Sequence, residues 1–321
     1  MNAQRIRNPG TGTRDPQSGV RGRLSYGESM ALHTSWRVGG PADRWFEPAD
    51  REDLSDFVRQ LPDGEPMTWI GLGSNLLVRD GGIRGTVICL KDGFDAIRLD
   101  PAIPESQILG SGARLVQAGA AAHCARLAKT CADAQLAGLG FLIGVPGTLG
   151  GALAMNAGAH GGETWDFVES VEVLFDDGRY EWLPKSAFEA GYRHVVAPAG
   201  FAGFIAARLR LEADADGSAA ADMKAWLAKR RATQPVGKPT AGSTFRNPQG
   251  DHAARLIESC GLKGHRIGGA VVSSMHANFI VTEAGARAAD VERLIDFVRA
   301  EVERQRGVKL QPEVRFVGDA A

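Results

Sequence analysis

Two glycine-rich segments carry the first chemical signal in this chain. The earlier one, Gly71-Leu72-Gly73-Ser74-Asn75-Leu76, follows a short apolar run and sets main-chain N–H groups beside a hydroxyl and an amide. The later one reads Gly144-Val145-Pro146-Gly147-Thr148-Leu149-Gly150-Gly151 and continues to Asn156-Ala157-Gly158-Ala159. Residues 138–162 hold 9 of the 41 glycines, and no charged side chain interrupts them. Glycine lets a backbone approach a ligand closely and adopt positive φ. Clustered N–H groups can then hold phosphate oxygens with no lysine or arginine. Leu142, Ile143, Val145, Leu149, Leu153 and Met155 are too apolar for a solvated linker. Two such segments predict buried loops wrapped round a large cofactor that contains a pyrophosphate.

A dinucleotide-binding strand–turn–helix does not fit the first segment. The Gly81-Gly82 turn follows Gly73 too soon for a crossover of about a dozen residues. Leu76 also stands where a third glycine is needed. A loop between two β segments is expected instead.

Three single residues could do acid–base or electrostatic work. Ser243 lies in Pro239-Thr240-Ala241-Gly242-Ser243-Thr244-Phe245-Arg246-Asn247-Pro248, which lacks the elbow or neighbouring base of a nucleophilic serine. It is either a proton donor or a turn-capping serine. Glu313 follows Pro312 in a terminal strand, where alternation sets it on one face with Arg315 and Val317. It is either a site carboxylate or a solvated strand end. Arg193, in Gly191-Tyr192-Arg193-His194 after a helix-like stretch, is either a ligand-facing or a surface cation. His276 reads as a loop histidine. The four cysteines, Cys89, Cys124, Cys131 and Cys260, form no C-x-x-C pair and have no ligand spacing with the seven histidines. Reduced thiols, buried at Cys124 and Cys131 in an apolar helical pattern, and no metal site are expected.

The 321 residues are 44% apolar and 23% charged, which are globular proportions and exclude disordered and disulfide-scaffold classes for the bulk of the chain. That length favours two or three domains. Lys+Arg 37 against Asp+Glu 38 gives a net charge of −1, so no whole-chain attraction to nucleic acid or an anionic membrane is expected. The uncharged window 134–162 is long enough to span a bilayer, but its glycines, Pro146, Asn156 and His160 make it a poor membrane helix. The first 23 residues carry five arginines and one acid with no apolar core, so a secretory signal is excluded. A cytoplasmic monomer is expected.

The elements that must position these residues form three units of an α+β protein behind a flexible tail at 1–23. Unit one, 24–93, has a helix at 51–60 capped by Asp50 and strands at 67–70, 76–78 and 86–90. Unit two, 94–213, has strands at 107–110 and 115–118, a helix at 120–132, a hairpin of 168–175 and 179–183, and a strand at 201–211. The polar run 214–218 opens unit three, 214–321. It has helices at 219–231 and 251–260, a strand at 277–281, a long helix through Val291, Leu294, Ile295, Val298 and Val302 ended by Gly307, and a strand at 311–316.

In their order, these motifs resemble the UDP-N-acetylenolpyruvoylglucosamine reductases (UDP-N-acetylmuramate dehydrogenases) over about residues 24–318. The matching segments are 33–40 (His33-Thr34-Ser35-Trp36-Arg37-Val38-Gly39-Gly40), both glycine segments, Gly191-Tyr192-Arg193, the Ser243 run, 268–281 and Pro312-Glu313-Val314-Arg315-Phe316. The resemblance implies an FAD-binding domain of the vanillyl-alcohol-oxidase (PCMH) type in two subdomains, plus a C-terminal α+β substrate-binding domain. It implies non-covalent FAD held by Gly71, Gly73, Ser74, Asn75, Leu76, Gly144, Pro146, Gly147, Thr148, Gly150, Gly151, Asn156 and Gly158. It implies NADPH as hydride donor and UDP-N-acetyl-3-O-(1-carboxyvinyl)-glucosamine as substrate, reduced to UDP-N-acetylmuramate in peptidoglycan synthesis, and so a part in cell shape and division.

In that chemistry hydride adds to C3 of the enolpyruvyl group and a proton to C2. The resemblance makes Ser243 the proton donor, and Arg193 and Glu313 the groups that hold the substrate carboxylate and stabilise its developing charge. Tyr192, Lys238 and Asn247 are the implied substrate contacts. The chain departs from the family pattern at Val195 (a serine), Thr233 (a lysine) and Thr282 (an asparagine), which leaves Arg230, Arg231 or Lys238 to meet the UDP phosphates. Residues 211–219 are too few for the inserted loop of the longer family form, so the short form is expected. Two competing readings are an oxidase or dehydrogenase on the same FAD domain, with flavin attached through a histidine such as His33 or His160, and a non-redox nucleotide-sugar binding module. Ser243 and Glu313 in their motifs serve no purpose in the oxidase.

Overall fold

The structure is a computed structural model and describes residues 19–99 and 113–321. The strand expected at 107–110 and most of the 1–23 tail lie outside the described residues.

The first sheet runs Arg23–Ser29, Pro41–Glu47, Ile83–Cys89, Met67–Ile70, with the first pair antiparallel and the rest parallel. Beside it lies α1 (Arg51–Arg59), which starts where the Asp50 side chain accepts the Asp53 N–H and which buries Leu54, Phe57 and Val58. Buried Asp53 takes the N–H groups of Arg21, Gly22 and Ala49, so the chain is already tied down at Arg21.

The second sheet is fully antiparallel, in the order Tyr180–Pro184, Val168–Phe175, Phe201–Leu211, Arg114–Gly119, Ile97–Leu99. Against it pack α2 (Cys124–Asp133) and α3 (Leu149–Met155). Helix α2 begins four residues later than its apolar pattern suggests, because residues 120–122 spend their main-chain groups elsewhere. Ala120 N–H donates to Ile205 and Ala121 N–H to Phe94, while the Ala120 and Ala122 carbonyls accept from Gly150 and Leu149. Helix α3 is a correction to the loop expected over 138–162: Leu149, Ala152 and Leu153 are buried, and Asn156 ends it in the left-handed conformation, φ 40°. Helix α4 (Ala219–Thr233), read with the third unit, packs Met223 and Trp226 into the core of the second.

The third unit combines α5 (Ala253–Ser259) and α6 (Ala288–Arg306) with a small antiparallel sheet, Arg266–Ile267, Ala270–Val272, Ile280–Thr282. Gly307 closes α6 with φ 69°. Two features lock this unit to the first. Trp36, fully buried in the third unit's core, donates its indole N–H to the Ile280 carbonyl at 2.8 Å, and Thr282 Oγ1 donates to the Trp36 carbonyl at 2.5 Å. Strand Arg315–Val317 pairs in parallel with Leu76–Val78, the strand that leaves the first glycine loop. The terminal strand is thus shorter than the expected 311–316. Pro312 has no N–H to give, and the Glu313 N–H is taken by the Thr244 carbonyl at 2.8 Å, so Glu313 stands just ahead of the strand.

Candidate active site

The junction of the three units encloses a cavity of about 580 Å³, within the size range of small-molecule and cofactor sites. One part of its lining is the loop after strand Met67–Ile70 together with Pro146, Gly147, Thr148, Gly150 and Gly151. These two segments abut: a Cβ on Gly71 would lie 2.5 Å from Thr148 Oγ1, and one on Gly147 would lie 3.6 Å from Ser74 Oγ. Gly73 has φ 58°, and a Cβ there would fall 2.0 Å from the His33 carbonyl oxygen, so only glycine fits.

Six lining residues, Leu72, Gly73, Ser74, Asn75, Thr148 and Gly151, have main-chain N–H groups that reach no protein acceptor among the described residues. Gly73 and Thr148 are buried, where amides are seldom left unpaired, and a row of free amides beside glycines suits an anionic oxygen. The neighbouring lining is apolar, with Trp69, Leu90, Val145, Met155, Phe204 and Phe279, and could cover a planar ring system. The residues present therefore fit a flavin with its diphosphate.

The remaining lining gathers charge. Arg193 sits at the tip of a two-residue turn between strands Glu189–Gly191 and His194–Val196, with φ 57°. Of the helix-like stretch expected ahead of it, the structure keeps one 3-10 turn, Lys185–Ala187. Arg193 Nε donates to Glu313 Oε1 at 2.8 Å, Nη2 to the Gly158 carbonyl at 2.8 Å and Nη1 to the Asn156 carbonyl at 3.2 Å. Two of its five N–H donors stay uncommitted among the described residues. The pair is largely sheltered, with side-chain exposures of 15% and 17%, which strengthens its field. Glu313 is braced by Asn75, whose Nδ2 donates to the Glu313 carbonyl at 3.2 Å. The Ser243 side chain lines the same cavity, and no protein group among the described residues bonds its hydroxyl.

Two further cations line the cavity. Arg315 is exposed overall, and partial desolvation of its guanidinium, reinforced by the charge of Arg246, lowers it from its ordinary value. Burial does the same to Arg230, which among the described residues faces no carboxylate, donates Nη1 to the Gly144 carbonyl and has its buried Nε without a partner. In the sequence Arg230 is one of three phosphate candidates and Arg315 has no assigned role. Alternation along 313–317 was the only signal for Arg315.

Most of the expected cofactor residues line this cavity: Gly71, Gly73, Ser74, Asn75, Leu76, Pro146, Gly147, Thr148, Gly150, Gly151 and Gly158. Arg193, Ser243 and Glu313 join them. Five expected residues do not line it. Gly144 offers its carbonyl to Arg230. Asn156 is buried, and its amide is bonded to protein. Tyr192 is 48% exposed beside Arg193, Lys238 is exposed, and Asn247 accepts the Ala253 N–H at the start of α5. His33 stacks on Trp45 and bonds Glu28, and His160 stacks on Trp226; neither lines the cavity. All four cysteines are free, and burial pushes the thiols of Cys89 to about 11 and of Cys124 and Cys131 to about 12. No helix among the described residues is long and apolar enough to cross a membrane.

Comparison with known proteins agrees with this geometry. The family model of the FAD binding domain matches residues 42–184, and that of the UDP-N-acetylenolpyruvoylglucosamine reductase C-terminal domain matches residues 234–317. The chain is 53% identical to the UDP-N-acetylenolpyruvoylglucosamine reductase of Methylococcus capsulatus, across 94% of this chain and 95% of that protein. It is 52% identical to the enzyme of the same name from Alkalilimnicola ehrlichii, across 93% and 96%. The crystal structure of UDP-N-acetylenolpyruvylglucosamine reductase from Thermus caldophilus superposes with a TM-score of 0.77 at 32% identity, covering 93% of this chain and 99% of that one.

Proposed function

This chain belongs to the UDP-N-acetylenolpyruvoylglucosamine reductases, and from that premise we propose how its own residues share the work. It is an FAD-dependent oxidoreductase of peptidoglycan synthesis that reduces the enolpyruvyl ether of UDP-N-acetylglucosamine with NADPH as hydride donor. The chemistry that bound FAD would supply is the relay of hydride from NADPH to the substrate double bond.

The uncommitted amides of Leu72, Gly73, Ser74, Asn75, Thr148 and Gly151 would hold the cofactor diphosphate, and the apolar lining would exclude water from its ring. As C3 of the enolpyruvyl group is reduced, negative charge grows on the substrate carboxylate. The two free N–H groups of Arg193 meet that charge, and Glu313 fixes the guanidinium plane through Nε. Preorganised donors of this kind are each worth about 10²–10³ in rate. Ser243 then gives its hydroxyl proton to C2. A serine hydroxyl is a weak acid, and it suffices because the enolate is strongly basic and the hydroxyl is held in place. Arg230, a half-buried cation with no carboxylate partner among the described residues, takes a nucleotide phosphate in place of the family lysine. All these residues come from one chain, so catalysis needs no second copy. The nucleotide-sugar substrate and the four free thiols suit a reducing cytoplasm.

The observation that carries this reading is the meeting of Arg193, Ser243 and Glu313, three residues remote in sequence, on the cavity lined by unpaired glycine-loop amides. Ser243→Ala tests it. Anaerobic reduction of the flavin by NADPH should keep its rate, and reoxidation by the enolpyruvyl substrate should slow by about 10²–10⁴. Unchanged reoxidation would remove the proton-donor role.

A further inference from the structure

We infer that two buried asparagines, Asn156 and Asn278, are positioning residues for the substrate half of the reaction, each holding a loop that presents one reacting side chain. The inference rests on the roles proposed above for Arg193 and Ser243. Asn156 is 2% exposed and Asn278 3% exposed, and neither lines the cavity.

Asn156 grips the Arg193 hairpin twice. Its Nδ2 donates to the Gly191 carbonyl at 3.2 Å, and its own main-chain carbonyl accepts from Arg193 Nη1 at 3.2 Å. The amide is held in turn by Glu163 Oε2, which accepts from Nδ2 at 2.7 Å, and by the Trp165 N–H, which donates to Oδ1 at 3.1 Å. The left-handed backbone at φ 40° turns that carbonyl out of the α3 ladder, and asparagine tolerates such a backbone better than most residues. Every polar atom of the side chain is thus spent on protein, which leaves nothing for a cofactor contact.

Asn278 does the same for Ser243. Its Oδ1 accepts the Phe245 N–H at 2.9 Å, its Nδ2 donates to the Phe245 carbonyl at 2.8 Å, and its main-chain carbonyl accepts the Thr244 N–H at 2.8 Å. A primary amide mimics a strand partner here, because it alone offers a donor and an acceptor side by side. An aspartate cannot donate, and an aliphatic residue can do neither. Ser243 itself has no protein hydrogen bond among the described residues, so the two residues after it fix its place. Displacement of a reacting group by about 1 Å can cost 10²-fold in rate.

The experiment uses the FAD-loaded Asn156→Gly and Asn278→Ala variants, followed anaerobically through their two half-reactions. Glycine keeps the left-handed backbone at 156 and removes only the amide. Flavin content and the rate of bleaching by NADPH should match the parent protein, while reoxidation by the substrate slows by about 10–10²-fold in each variant. Asn278→Ala should also raise the solvent deuterium isotope effect on reoxidation, because proton delivery becomes the slow event, and Asn156→Gly should not. Ser243→Ala and Arg193→Ala run alongside. If they leave reoxidation intact, the underlying roles are wrong; if they slow it and the asparagine variants do not, positioning is wrong. Loss of FAD, or equal slowing of both half-reactions, also overturns the inference. Should Asn156→Gly fail to fold, Glu163→Ala removes one support of the same amide and should slow reoxidation severalfold with bleaching unchanged.

Discussion

The lining contributed by residues 71–76 and 146–151 contains no charged side chain, whereas the rest of the same cavity brings together Arg193, Arg230, Glu313 and Arg315. The difference follows from what each part must do. A cofactor that stays through turnover needs a grip that does not change, and fixed main-chain amides supply one with no buried charge to neutralise. A substrate whose charge develops during reaction needs groups that answer that charge, and these must be sheltered to be effective. Shelter has a cost, since an unpaired buried cation is destabilising. Arg193 meets it with Glu313 and two carbonyls, whereas among the described residues Arg230 has only the Gly144 carbonyl. The amide lining reads as a binding surface and the charged lining as a reacting one.

Substitutions should separate the two. Beside Ser243→Ala, the largest effect is expected from Arg193→Ala, which removes a charge stabiliser: steady-state kcat should fall by about 10²–10³ with FAD content unchanged, checked by turnover assay and flavin absorbance. Gly73→Ala should do the reverse. Its methyl would sit 2.0 Å from the His33 carbonyl oxygen at φ 58°, so stability should drop by at least about 1–3 kcal/mol and FAD should be lost on purification. Urea unfolding and flavin content measure this. Full flavin occupancy in Gly73→Ala would break the division between the linings.

The two linings also differ in how far they could be read from the chain. The glycine segments announce themselves, because nine glycines between 138 and 162 without a charge are a local signal that needs no partner. Composition alone therefore pointed to a buried pyrophosphate site. Arg193, Ser243 and Glu313 are single residues whose meeting depends on the hairpin at 189–196 and on the parallel pairing of Arg315–Val317 with Leu76–Val78. No periodicity encodes either contact, so only the resemblance connected them. Strands Met67–Ile70 and Phe201–Leu211 are legible to the residue, as largely apolar runs bounded by turn signals. Helix α3 was hidden by its glycines, since helix propensity argues against a run containing Gly150 and Gly151 while tertiary packing of Leu149 and Leu153 overrides it. Asn156 and Asn247 were read as ligand contacts by motif alone. Their amides are consumed by the hairpin and by the start of α5, which no sequence pattern reports.

A smaller effect is expected from Arg230→Met. Removing a phosphate-binding cation that acts equally on ground and transition states should raise the substrate KM by about tenfold with kcat nearly unchanged. A fall in kcat at constant KM would instead move Arg230 among the reacting groups. The smallest effect concerns a carboxylate outside both linings. Burial alone would raise the Glu47 carboxyl, but hydrogen bonds from Lys91 and Trp45 and the charges of Lys91 and Arg23 outweigh it and hold the group below its ordinary 4.5. Its folded value lies below its unfolded one, so its stabilising contribution is present above pH 4.5 and is lost as the pH falls through the folded value. Glu47→Gln should therefore lower the urea midpoint at neutral pH and flatten its decline under acid, leaving both half-reactions untouched.

The most direct test of the division is a sequential anaerobic titration of Glu313→Gln. The purified variant should be yellow, should bleach with NADPH at the parent rate, and should regain colour with the enolpyruvyl substrate at least about 10²-fold more slowly. Recolouring at the parent rate, or a protein isolated without flavin, would contradict the account.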